Sequence, residues 1–418
     1  MNTINKQQKY SLSLYFFCLA LIFIYLNFLR ATFDEKGDVF GPLIRIMSVG
    51  VGPTFLLLST VSALIEGQLK RIDKIYQLWI VCLIFIFLGL IFNGILINRN
   101  SPRLIVLDTI HYLFFLPGIL IGAKKDNWPI VEKFIRLFFL INILNLIPYI
   151  FAYGDLIQGM RRNVVLGFNQ IPYFFWGELG LWTYLWLSMK ERPKFDKFVT
   201  ILGTLLFFYF SIIYLKRAPF VLLIVFFILL VIANRSKGNI KINFKTISAF
   251  LLFISISSTL FFYSNTTSNL EKLGDRFTER GGTVISTLAN SNRIAYDVNL
   301  VKNQMDGIEL LVGRGLGGVV KDEGYNYPEF NTSSLHNSSA QHVLKGGLLL
   351  LTVWWLGFLM ILKNFLFNKD KEYIKFYVPL LVPFIFSWVF GFLSTSISFL
   401  LFMLCAGRVI SKEHLQKK

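Results

Sequence analysis

Apolar runs close to 20 residues long recur along the whole chain, and no other feature of the sequence limits the fold as strongly. A helix rising 1.5 Å per residue needs about 20 apolar residues to cross a hydrocarbon core of about 30 Å. Such runs occupy residues 10–29, 41–65, 76–97, 103–122, 128–152, 171–188, 198–214, 218–233, 246–263, 341–362, 374–390 and 393–410. The last two are separated only by Gly391-Phe392. Joined, they would reach about 55 Å, too far for one crossing, so they count as two. The expectation is an all-α polytopic membrane protein of about twelve transmembrane helices. Composition agrees: 55% of residues are hydrophobic and only 16% are charged, against roughly 25% charged in a soluble domain. Cys18, Cys82 and Cys405 all fall inside apolar runs, which leaves no disulfide framework and no cysteine metal cluster. The first run follows Lys6 and Lys9 as a signal sequence would. Leu29-Arg30-Ala31-Thr32 offers no small-residue cleavage site, so an uncleaved first span is expected.

The formal charge is +18. On a soluble chain that excess would point to nucleic acid; on this one it sets topology instead. With the N-terminus inside, the inner loops carry 23 Lys and Arg and the short outer loops carry 8. Both termini are then cytoplasmic, and no nucleic-acid partner is expected. The chain divides into residues 1–263 with nine spans, 264–340 as a large outer loop, and 341–418 with three more spans and a cytoplasmic tail.

That loop is polar, of mixed charge and not low-complexity. Ile294, Val298, Val301, Met305 and Ile308 recur every three or four positions between Ser291 and Leu311. This spacing predicts one amphipathic helix with Ser291 as its N-cap, and so a helical outer subdomain between spans nine and ten. Long loops of this kind usually carry function.

Candidate functional residues cluster on the outer side. Lys216-Arg217 sits in the turn between spans seven and eight, where the topology rule disfavours positive charge. The plain alternative is snorkelling to headgroups; the functional one is a lipid-phosphate site, which the planar fork of arginine suits. Gly313-Arg314-Gly315-Leu316-Gly317-Gly318 looks like a nucleotide loop, but no nucleotide is available outside the cell. It reads better as a tight turn that brings the next segment to the membrane face. His336, followed by Asn337, lies at the loop's exit near the water–lipid boundary. A neutral imidazole there can accept a proton, or can simply be an interfacial hydrogen-bonding residue. Arg293 opens the loop helix, where an exposed helix charge is the usual case; Arg276, Arg280 and Arg314 are weaker versions of the same case. Within apolar runs, Arg45, Asp108, His111 and Glu178 are costly and should face protein or a wet cavity. Asp108 and His111 share a helix face, and Arg45 can pair with either Asp108 or Glu178.

Together these features resemble the bacterial O-antigen polymerase (Wzy-type) and O-antigen ligase superfamily. The likeness rests on about twelve spans, the outer loop in the C-terminal third and the basic pair Lys216-Arg217. It rests also on Arg293, the Gly315-x-Gly317 turn, and His336-Asn337 followed by Lys345-Gly346-Gly347. The resemblance implies a GT-C-like membrane glycosyltransferase fold in the bacterial inner membrane, its large loop in the periplasm. It implies an undecaprenyl-pyrophosphate-linked glycan as donor, and neither metal nor cofactor. By position, Arg217 and Arg293 hold the pyrophosphate, with Lys216 and Arg314 in the same binding set. Arg280 or Arg314 can stand in for Arg293. His336 activates the acceptor hydroxyl, and Asn337, Gly315 and Gly317 support it. The expected activity is an inverting polymerase of lipid-linked repeat units. The alternatives are a ligase that uses lipid A–core as acceptor and, from another class, a flippase for lipid-linked oligosaccharide. Membrane lipid, a chain-length regulator and a flippase are the expected partners.

Overall fold

The computed structural model of the chain describes residues 11–33, 46–113, 115–159, 184–188, 192–213, 225–226, 228–230, 232, 292–321, 331–332, 335, 337–367, 371–387 and 397–415. Helix accounts for 87% of what it describes, so the protein is all-α as its apolar periodicity demands. In chain order the helices are α1 (Leu12–Phe33), α2 (Gly52–Ile65), α3 (Lys74–Phe92), α4 (Pro102–Leu113), α5 (Phe115–Ala123), α6 (Trp128–Gly159) and α7 (Lys194–Ile213). There follow α8 (Asn292–Gln304), α9 (Gly307–Val312), α10 (Ser338–Phe367), α11 (Ile374–Ser387), α12 (Ile397–Val409) and α13 (Lys412–Leu415). A short antiparallel ladder pairs β1 (Val320–Lys321) with β2 (Asn331–Thr332). A wide π turn, Asn93–Ile97, extends α3.

Among the described residues, two helical stretches, residues 74–97 and 338–367, are long and apolar enough to cross a membrane. The expected runs 171–188 and 218–233 are described only in part, and 246–263 lies outside the described residues. The run 103–122 is split between α4 and α5. The single loop helix expected over 291–311 is two helices. The first ends at Gln304, and Asp306 caps the second, its Oδ1 accepting the Glu309 N–H at 2.8 Å. Asp and Gly side by side at 306–307 favour such a restart over continued helix.

Helices approach closely at several glycines. A Cβ on Gly122 would overlap the Leu404 carbonyl, and one on Gly407 would overlap that of Ile119, so α5 and α12 meet backbone to backbone. Small residues allow this approach, and in lipid it is dispersion rather than the hydrophobic effect that rewards it. On α3, the Trp79 indole fills the space over Gly357 of α10 and donates Nε1–H to the Val353 carbonyl at 2.8 Å. Further along α10, Asn364 donates to the Tyr76 hydroxyl at 2.7 Å.

Loops meet at both ends of α3. At its N-terminal end Asp73 N–H reaches the Ile410 carbonyl at 3.1 Å, and Ile72 bridges Ser411. Nearby, Glu66 accepts from the Ser13 N–H at 3.0 Å and the Ser13 hydroxyl at 2.7 Å. At the C-terminal end, Asn98 and Asn100 bind the Arg314 carbonyl. Burial raises the Glu66 pKa, but the Ser13 bonds, a bond from Gln68 and the charge of Lys124 outweigh it, and the net shift is downward. A lowered carboxylate pKa stabilises the fold above the unfolded value of about 4.3 and loses that contribution as pH falls through the folded value. Glu66→Gln should therefore narrow the difference in thermal stability between neutral and acidic pH in detergent. An unchanged pH dependence would remove Glu66 as the latch of α1.

Candidate functional site

The site is built around a broken helix. Gly347, inside α10, has φ 62° and ψ −167°, a backbone conformation closed to side chains other than glycine's. The break frees the carbonyls of Leu344 and Lys345 from their helical partners. The glycine loop supplies replacements: Arg314 N–H donates to Leu344 at 2.9 Å and Gly315 N–H to Lys345 at 3.0 Å.

From the other side the loop is held by the end of α3. Leu316 N–H donates to the Leu90 carbonyl at 3.1 Å, and Asn93 Nδ2 donates to the Gly313 carbonyl at 3.1 Å. Asn100 Nδ2 spans the Arg314 and Leu316 carbonyls at 2.8 and 2.9 Å. Gly315 packs so near Gly94 that a Cβ would overlap the Gly94 amide. The expected tight turn is present, and it is wedged between two helices as well as placed beside them. Each N–H from Gly313 to Gly318 has a partner, as buried backbone requires.

A charge pair locks the wedge. Lys345, whose side chain is wholly buried, puts Nζ 2.6 Å from Asp108 Oδ2 and 2.8 Å from the Gly318 carbonyl. The same Asp108 oxygen accepts the Gly317 N–H at 2.6 Å. One turn along α4, the Tyr112 hydroxyl lies 3.3 Å from His342 Nδ1, and the His342 ring packs on Trp354. His342 Nε2 is buried with no partner among the described residues.

The other sequence-derived residues fall as follows. Asn337 is the N-cap of α10: its Oδ1 accepts the Ala340 N–H at 3.0 Å, and its own N–H donates to Asp297 Oδ2 at 2.7 Å. Asp297 is buried on α8, one helical turn after Arg293, so Arg293 lies on the Asp297 face of that helix. Arg293 is described in its backbone only, and His336, Lys216, Arg217, Arg276, Arg280, Arg45 and Glu178 lie outside the described residues. Arg314 spends its guanidinium inside the loop. Nε and Nη2 bind Glu309, Nη1 donates to the Val319 carbonyl at 2.7 Å, and Nη2 also meets the Gln304 carbonyl. Gly315 and Gly317 support the wedge by close approach and by the N–H that Gly317 gives Asp108.

No family model matches the chain, and neither a curated protein nor a solved structure matches it.

Sequence reasoning offered Asp108 a partner at His111 or Arg45 and left out Lys345, which the structure places against it. The signal was a lone lysine inside the run 341–362, which needs a counter-charge in an apolar setting. Asn93, Asn98 and Asn100 carried a second signal, three amides crowded at the end of an apolar run. Removing one member of a buried pair strands the other charge and costs about 3–5 kcal/mol. Lys345→Met and Asp108→Asn should each destabilise the purified protein by that order. The double variant should lose clearly less than the sum, because with both side chains replaced neither leaves a bare buried charge behind. Strict additivity would mean that the two side chains are not coupled.

Proposed function

We propose that the chain is a membrane glycosyltransferase that polymerises undecaprenyl-pyrophosphate-linked oligosaccharide repeat units on the periplasmic face of the bacterial inner membrane. One observation carries most of this reading. Asp297, a turn away from Arg293, binds the backbone N–H of Asn337, the neighbour of His336. That bond joins the helix carrying Arg293 to the residue after His336, and His336 itself stands 43 positions beyond Arg293 in the sequence. It supports a cation for pyrophosphate and a base for a hydroxyl acting together.

The chemistry follows from those two groups. The acceptor hydroxyl oxygen attacks the anomeric carbon of the donor glycan as His336 takes its proton. The bond from that carbon to the pyrophosphate oxygen breaks, and undecaprenyl pyrophosphate leaves with the electron pair. Arg293 and Arg217, with Lys216 beside them, neutralise the charge that grows on the leaving group. Attack opposite the leaving group inverts the anomeric centre. Arg314, already engaged with Glu309, braces the loop and is the poorest phosphate ligand of the set.

Twelve crossings with both termini inside belong to the same proposal. In support, segments given to the inner side by charge touch one another: residue 13 with 66, and 72–73 with 410–411. Segments given to the outer side, residues 98–100 and 314–316, also touch, at the opposite end of α3.

The flippase alternative gains one observation. A helix broken beside a buried ion pair is a transporter device when the freed backbone lines a cavity. In this protein the carbonyls of Leu344 and Lys345 are taken by the chain's own Arg314 and Gly315 amides, so the break is filled by protein.

A gel of surface polysaccharide from a strain lacking the gene tests the reading. Lipid A–core carrying a single repeat unit and no ladder is expected, and Arg217→Ala, Arg293→Ala and His336→Ala should fail to restore the ladder. Long chains held on undecaprenyl pyrophosphate would assign the ligase reaction instead, and a wild-type ladder would sink both.

A further inference from the structure

Helix α9 presents an apolar face that nothing in the described structure covers. Ile308, Leu311 and Val312, at i, i+3 and i+4, are 73%, 57% and 44% exposed. The rest of the helix is occupied: Leu310 packs on the small outer core of Leu300, Val301, Met305 and Val343, and Glu309 is neutralised by Arg314 at 2.9 Å. The bare face is continuous with a membrane-length helix. A Cβ on Gly347 would overlap the Leu311 backbone, and from that contact α10 runs on with exposed Leu348, Leu349, Leu356 and Leu359.

Two helices gauge the depth of the loop that follows α9. Leu90, which binds Leu316, precedes the end of the α3 apolar segment at Ile97 by seven residues, about 10 Å. Lys345, which binds Gly315, lies four residues inside the apolar run that starts at 341, about 6 Å. Both rulers put the glycine turn several ångströms below the outer edge of the hydrocarbon.

We propose that residues 306–320 form a re-entrant segment of the membrane, with α9 dipping from the outer face so that Ile308, Leu311 and Val312 contact lipid acyl chains. The glycine turn is its inner tip. Irregular backbone survives at membrane depth only where protein satisfies its polar groups. Asn93, Asn98, Asn100, Leu90, Leu344, Lys345 and Asp108 do so for this turn. The Glu309–Arg314 pair leaves neither charge bare beside lipid. The inference rests on the membrane reading of α3 and α10 and not on the transferase chemistry.

The test is cysteine labelling in membrane vesicles of the full chain, with Cys18, Cys82 and Cys405 replaced by Ala. Single cysteines go in at Ile308, Leu311, Lys302 and Leu359; all four side chains are exposed, so the changes cost little packing. A water-soluble maleimide should label Lys302→Cys readily and Leu359→Cys poorly. Ile308→Cys and Leu311→Cys should react at least about tenfold more slowly than Lys302→Cys, the effect of one unit of thiol pKa in an apolar medium. Nitroxides on the same cysteines separate lipid from protein cover: at 308 and 311, collisions with oxygen should exceed those with a water-soluble nickel chelate. Labelling at 308 and 311 as fast as at 302, with 359 still protected, would put α9 in water and overturn the inference. Slow labelling with neither oxygen nor nickel access would mean protein cover and would overturn it too. Fast labelling at 359 as well would remove the membrane reading beneath it.

Discussion

The Lys345–Asp108 pair is the interaction on which the described structure around the glycine loop depends. Lysine and aspartate in apolar surroundings are each expensive, and their attraction offsets that cost only when the remaining hydrogen-bonding positions are filled. One loop supplies a backbone partner to each member of the pair. Gly317 gives its N–H to the carboxylate, and Gly318 gives its carbonyl to the ammonium. The pair therefore joins three segments at once, α4, α10 and the glycine loop. Sliding α10 along its axis by one residue would part the charges and take the Lys345 ammonium away from the Gly318 carbonyl. A buried ion pair seldom adds much net stability; its physical effect is to make wrong registers costly.

Everything nearer the candidate site inherits that register. With Lys345 fixed, the N-terminus of α10 is fixed, and Asn337 caps it where Asp297 can bind the backbone. Asp297 in turn sets α8, and α8 carries Arg293. A buried charge pair thus determines where Asn337 and the helix that carries Arg293 stand. The break at Gly347 belongs to the same device: helix is given up at one turn so that a loop from elsewhere in the chain can supply the missing donors.

Much of this was legible in the residues. The 3.6-residue periodicity and the near-20-residue apolar runs give an all-α chain, and the bounds of α3, α7, α10 and α11 fall within a few residues of their runs. The glycine run read as a tight turn, and Asn337 as part of the loop's exit. The wedge itself was not legible, because it depends on pairings about 220 positions apart, such as Asn93 with Gly313, and periodicity reports only a helix's own faces. Lys345 reads in sequence as part of the Lys345-Gly346-Gly347 motif and not as a charge in need of a counter-charge. Arg314 enters the pyrophosphate set by the resemblance and as a weaker version of the Arg293 case, and Glu309, five positions away, binds it. The restart at Asp306-Gly307 could have been read from capping chemistry and was hidden by the regular spacing of Met305 and Ile308.

The most direct test is reconstitution of the purified full chain in proteoliposomes. A synthetic undecaprenyl-pyrophosphate-linked repeat unit would be the sole substrate, with no nucleotide sugar present. The expected result is a ladder of longer lipid-linked glycans, one undecaprenyl pyrophosphate released per unit added, and inversion at each new anomeric centre. Movement of intact lipid-linked repeats across the bilayer with no elongation would contradict polymerisation and make the protein a transporter.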